Sequence, residues 1–104
     1  MRYLALLALV AAPAYAQCSD EMPALLRVAK ECMVQDSRKL IRSGENAESI
    51  ATASLIDCAP VVNPVKAGYD RCYTPEAAQA LKPAMEKALR QIAVAEVVNA
   101  RAGR

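Results

Sequence analysis

The chain has four cysteines and no histidine, so the cysteines are its strongest candidates for metal binding, redox chemistry or nucleophilic catalysis. Cysteines form disulfides, hold zinc or act as nucleophiles. Structural zinc cysteines usually stand about two to four residues apart, and redox pairs form a Cys-x-x-Cys motif. The intervals here are 14, 26 and 14 residues, so we expect two disulfides, no metal site and no cofactor, with all four cysteines used, namely Cys18, Cys32, Cys58 and Cys72.

The cysteine positions also favour one pairing. If Cys18 and Cys32 lie on one helix, about 21 Å separates them, which is too far for a disulfide, and both project from the same side. The outer pair and the inner pair are both centred on position 45, beside Gly44. A chain reversal there brings Cys32 level with Cys58 and Cys72 towards Cys18. The sequence therefore favours the nested bonds Cys18–Cys72 and Cys32–Cys58.

Catalytic groups are scarce. Without histidine, Ser-His and Cys-His nucleophiles are excluded. Asp20 and Glu21 are adjacent, so on a helix they point apart and suit capping better than catalysis. The methionines at 22, 33 and 85 fall on apolar stripes and are expected in the core rather than on a metal. We therefore expect a protein that is not an enzyme.

The N-terminus is typical of an export signal. Arg2 supplies a positive charge, residues 4–12 are apolar, and Ala14 and Ala16 are the small residues that a signal peptidase reads. The sequence thus predicts a signal peptide over 1–16, a single helical domain over 17–104 and a periplasmic or secreted location. Disulfides persist in such oxidising compartments.

Residues 17–104 carry 12 basic and 11 acidic side chains, a net charge of about +1. This near balance and the two remaining aromatic residues, Tyr69 and Tyr73, argue against nucleic-acid binding. No apolar run after the signal reaches the roughly 20 residues of a membrane span. A chain of this length often needs covalent support for its core.

Apolar residues at steps of three and four predict an amphipathic helix over 20–43, ended by Gly44. Residues 46–58 predict a second helix, rich in small side chains and placed in the middle of the bundle. Asn63 and Pro64 are typical of a helix start, so a third helix is expected over 64–73. Because Pro60 and Pro64 interrupt this returning arm, the alternative pairing of the first with the third cysteine and the second with the fourth stays open.

Thr74 and Pro75 predict the start of a last helix over 75–100, which Pro83 should kink or divide. After Ile92 its apolar stripe stops. Either the helix end frays or bends there, or a valine patch, consisting of Val94, Val97 and Val98, is exposed for a protein partner or a second copy of the chain.

The segment from Ser43 to Ala51, followed by Cys58, resembles small exported bacterial all-helical four-cysteine proteins of unassigned function. The resemblance implies an all-helical exported domain and no activity. The nested cysteines also look like those of coiled-coil-helix hairpins with twin Cys-x9-Cys motifs. Here thirteen residues rather than nine lie between the cysteines of each arm, so no function is carried over from them.

Together these features predict an all-α, disulfide-stapled hairpin or bundle of three to four helices. The leading hypothesis for its function is a protein-interaction or structural module, as a monomer or a homodimer. The alternative is a small carrier that holds an apolar ligand or lipid between its helices.

Overall fold

The computed structural model is all-helical, as the sequence predicts. It describes the backbone of residues 2–103 and the side chains of residues 18–103; the predicted signal peptide over 1–16 lies outside the described side chains. No strand occurs in the described backbone. Four α-helices follow in order, α1 being extended by a 3-10 turn over Ile41–Ser43: α1 (Arg2–Leu40), α2 (Ala47–Asp57), α3 (Ala59–Cys72) and α4 (Pro75–Ala102).

The chain runs up, down and up again. α1 ends in the 3-10 turn, and Gly44 reverses the chain with a φ of 78°, which favours glycine. Asn46 then starts α2, because its side-chain oxygen accepts a hydrogen bond from Ser49 N at 2.8 Å. α2 and α3 together form the descending arm, and α4 returns beside α1. The predicted second and fourth helices are thus confirmed, with small shifts of their ends. The first helix is also confirmed and closes before Gly44 as predicted, but α1 begins at Arg2, eighteen residues before the predicted start at residue 20.

The bend in the descending arm falls at Cys58, six residues before the predicted start of the third helix. Cys58 N closes α2 on Ser54 O at 2.8 Å, and Cys58 O accepts from Val62 N at 2.9 Å to open α3. Pro60 is accommodated because the first turn of a helix has no internal partners for its N–H groups. Pro64 sits inside α3 without ending it, so the prediction of a helix beginning at Pro64 was wrong.

α4 is one continuous helix. Thr74 caps it by accepting a hydrogen bond from Ala77 N at 3.3 Å, and Pro75 occupies the first turn. Pro83 lies inside α4 but does not divide it, and the helix continues to Ala102 rather than fraying after Ile92.

The core lies where α1 faces α3 and α4, and where α2 faces α4. It is built from medium-sized and small side chains, and Gly68 of α3 lies directly against Met22 of α1. Ion pairs at the surface link the same elements: Lys82–Asp70 at 2.7 Å joins α4 to α3, and Arg38–Glu96 at 2.5 Å joins α1 to α4. The apolar residues buried most completely are Ala29, Met33, Ala51, Cys58, Val65, Ala93 and Val97, and Ser37 and Ser54 are buried as fully.

Candidate functional site

Both disulfides join α1 to the descending arm. Cys18 is bonded to Cys72 and Cys32 to Cys58, with Cα–Cα distances of 5.8 and 6.0 Å, and no cysteine is free. This is the nested connectivity that the spacing favours. Cys58 is fully buried at the bend between α2 and α3. The cysteines therefore act as covalent links, one at each end of α3, and offer no thiolate for catalysis.

One group of carboxylates lies near the inner disulfide. Asp36 of α1 faces Ser54 and Asp57 of α2, and burial raises the pKa of the Asp36 carboxyl above its ordinary value of 3.8. The Asp57 carboxyl raises the pKa further, while Ser54 and Lys39 lower it. Ser54 Oγ and Asp36 Oδ2 are buried, and neither makes a hydrogen bond of good geometry in the described part of the chain, although Ser54 lies close enough to Asp36 to lower its pKa.

This carboxylate group does not have the parts of an active site. Asp57 is exposed, and Ser54 is fully buried, so a substrate cannot reach its hydroxyl. The acidic pair noted in the sequence, Asp20 and Glu21, is also not brought to a cleft, because Glu21 pairs with Arg71 on the surface. Among the described residues, no three side chains of the metal-binding types gather closely enough to hold an ion.

Tyr69 is the other described group with a shifted pKa. Burial raises the pKa of its phenol, and Tyr73 raises it further. The two rings lie with their centroids 5.7 Å apart at the end of α3, next to the outer disulfide. Since the phenol stays protonated at neutral pH, this pair serves packing rather than acid–base chemistry.

The valine patch expected from the sequence is only partly exposed. Val98 has half of its surface exposed and Val94 is half-buried, but Val97 is completely buried, so including Val97 in an exposed patch was wrong. The buried line of α4 passes through Met85, Leu89, Ala93 and Val97. Each four-residue step advances by about 40° around a helix, so the covered side has turned away from Ile92 by the end of α4.

Val94 and Val98 line a groove of about 540 Å³ between α4 and the start of α2. Glu48 of α2 forms one wall, and Arg90 closes it by approaching Glu48 at 3.7 Å and donating a hydrogen bond to Thr52 Oγ1 at 3.3 Å. The remaining lining comes from the outer side of α4: Lys87, Gln91, Ala95 and Asn99.

The groove continues along α4 as a row of outward-facing residues spaced alternately by four and three positions. All six are exposed except Val94, which is half-buried. This is the spacing at which one helix packs its side chains against another in a coiled coil. We call this row the α4 seam: Ala80, Ala84, Lys87, Gln91, Val94 and Val98.

The sequence interpretation missed most of the seam. Its valines were noticed because they leave the apolar stripe, but Ala80 and Ala84 read as ordinary small helix residues. The alternation of four and three was the available signal. The exposure of Ile56 was also underestimated. The sequence predicts that α2 lies in the middle of the bundle, whereas the Ile56 side chain is 70% exposed on the outer side of α2.

Every described helix is too short or too polar to cross a bilayer. Comparisons of the chain with protein families, with curated proteins and with solved structures find no match.

Proposed function

We propose that this protein is a non-enzymatic interaction module that functions outside the cytoplasm and binds an α-helix of a partner along the α4 seam. The observation that carries the proposal is the seam itself. It joins two valines and two alanines at coiled-coil spacing on a face that the chain's own helices leave uncovered except at Val94, which is half-buried. A helix is the partner shape that suits such a row, because it presents side chains with the same repeat.

The dimensions of the seam support a helical partner. From Ala80 to Val98 it covers nineteen residues, about 27 Å of helix. The alanines allow another backbone to approach closely, while the valines and the groove beside Arg90 provide apolar area to bury. The charges at its edge have both signs, Lys87 and Arg90 against Glu48, which suits recognition with defined register.

The disulfides support the location. Bonds at both ends of α3 are stable in an oxidising compartment and are rare in a reducing cytosol. The apolar N-terminal residues predicted to be a signal peptide are consistent with export to the periplasm or the medium.

Site-specific photo-crosslinking in the native compartment tests this function. A photoreactive residue at Gln91, on the seam, should give a discrete crosslinked product, whereas one at Arg27, exposed on α1, should not. Val98→Glu should abolish the product by placing a charge in the contact. Its helical circular dichroism should stay unchanged. No product from Gln91, or equal products from both positions, would overturn the proposal.

The carrier alternative has less support. Side chains between the helices, such as Met33, Val65 and Ala93, are fully buried within one core cluster, and the groove beside α4 opens to the surface. A carrier would release lipid or another apolar ligand in native mass spectrometry of the protein purified after export.

A further inference from the structure

We propose that the helix bound by the α4 seam is the same seam of a second copy of this chain, arranged antiparallel. This inference rests on the proposed function and names its partner. It uses the distribution of residue sizes and charges along the seam, which is uneven between its two halves.

Residue size favours the antiparallel arrangement. The N-terminal half of the seam carries Ala80 and Ala84, and the C-terminal half carries Val94 and Val98. When two seams cross antiparallel with coiled-coil layers, Ala80 meets Val98 of the second copy and Ala84 meets Val94. Every apolar layer then contains one small and one larger side chain, so the two helices keep a uniform distance. A parallel pair would stack alanine on alanine and valine on valine, which packs unevenly.

Charge favours the same arrangement. In a parallel pair, Lys87 would face Lys87 of the second copy at the centre of the seam, and like charges at such positions destabilise helix pairing. In the antiparallel pair, Lys87 faces Gln91. The carbonyl oxygen of a glutamine side chain accepts a hydrogen bond from an ammonium group. The polar layers are therefore matched only when the copies run in opposite directions.

The flank of the seam also fits two copies. Arg90 lies beside the centre, so the antiparallel arrangement brings it near Arg90 of the second copy. Glu48 stands 3.7 Å from Arg90 on the same chain and offsets its charge. The two copies therefore present ion pairs to each other rather than bare cations, and Glu48→Arg should weaken their association.

The size of the seam sets the expected affinity. About 27 Å of one helix face is a small contact, so the dimer should be weak and reversible. Sedimentation equilibrium of the protein purified after export should show a mass that rises from monomer to dimer with concentration. Monomer alone up to about 1 mM, the concentration at which even a millimolar dissociation constant would show, would overturn the inference.

Substitutions locate the contact. Val98→Glu should raise the dimer dissociation constant at least about tenfold, because it buries a carboxylate opposite Ala80. Ile56→Glu is the matched control: it places the same charge on a more exposed apolar residue of α2, away from the seam, and should leave the dissociation constant unchanged. An equal effect of both substitutions would contradict the proposed contact.

Engineered cysteines determine the orientation. Mixing an Ala84→Cys chain with a Val94→Cys chain should give an intermolecular disulfide between the two variants under mild oxidation. Ala84→Cys alone should not, since two copies of position 84 lie about 15 Å apart in the antiparallel pair. Peptide mapping confirms that the native disulfides are retained. A ready Ala84→Cys homodimer would show a parallel pair and overturn the inference.

The photo-crosslinking experiment separates this inference from the proposed function. A product of twice the chain mass from Gln91 supports both. A product containing a different protein, again lost in Val98→Glu, supports the proposed function and overturns the second copy as partner.

Discussion

At the scale of single residues, Asp36 gives the structure a defined pH response. Its carboxyl is an acid whose pKa is raised in the folded protein, chiefly by burial and also by Asp57. The folded state therefore binds this proton more tightly than the unfolded state. The contribution of Asp36 to stability is then greatest below its ordinary pKa of 3.8 and falls as the pH rises through the raised value.

We expect Asp36→Asn to stabilise the protein relative to the wild type, increasingly as the pH rises from about 3.8 and then by a constant amount. Urea unfolding of both proteins at a series of pH values measures this difference. Asp57→Asn should lower the pKa of Asp36 and narrow the pH range over which the difference grows. A difference between Asp36→Asn and the wild type that is independent of pH would contradict the role assigned to burial.

At the scale of elements, α3 packs closely against α1 at Gly68. A Cβ atom there would overlap Met22 Sδ, and Leu25 lies just behind it. Glycine is a poor helix residue, so its presence inside α3 is explained by this close approach rather than by helix propensity.

We predict that Gly68→Leu lowers the free energy of unfolding by about 1–3 kcal/mol, because the added side chain forces α3 away from α1. Ala67→Leu is the matched control, since position 67 is exposed and next to Gly68, and should change stability by less than about 0.5 kcal/mol. Urea denaturation of the three proteins measures both effects. Equal stability of the two variants would show that the Met22 and Leu25 side chains rearrange around the added leucine without loss of stability.

At the scale of the whole molecule, two nested disulfides hold the bundle together. Their partners are separated by 54 and 26 residues, and the inner bond shortens the loop that the outer bond still has to close. In the chain-entropy model each bond then contributes about 3–4 kcal/mol. Both together are comparable to the whole stability of a small domain, about 5–15 kcal/mol.

Replacing the outer pair by alanine should therefore lower the free energy of unfolding by about 3–4 kcal/mol, as measured by urea unfolding. Replacing the inner pair should lower the free energy of unfolding by about 1 kcal/mol more than the closure of its loop accounts for. The reason is that Cys58 is fully buried and the loss of its sulfur leaves a void. Replacing both pairs should leave the chain largely unfolded, which circular dichroism reports. A cooperative unfolding transition in the variant that lacks both disulfides would refute this estimate.

The chain's own sequence determined the features that depend on nearby residues. Gly44 ends the first arm, and Asn46 and Thr74 start α2 and α4, because caps and turns are formed by hydrogen bonds within a few residues. The cysteine intervals determined which disulfides a hairpin can form. These signals are local or follow from helix geometry alone.

Only the tertiary structure decided the features that depend on distant neighbours. α3 begins at Ala59 because the bend occurs at Cys58, where the bond to Cys32 ties it to α1. Val97 is buried and Val98 exposed because the packing of α1 and α2 determines which side of α4 is covered. Adjacent residues of the same type differ in this way because burial depends on which helix lies opposite, and that helix comes from a remote part of the chain.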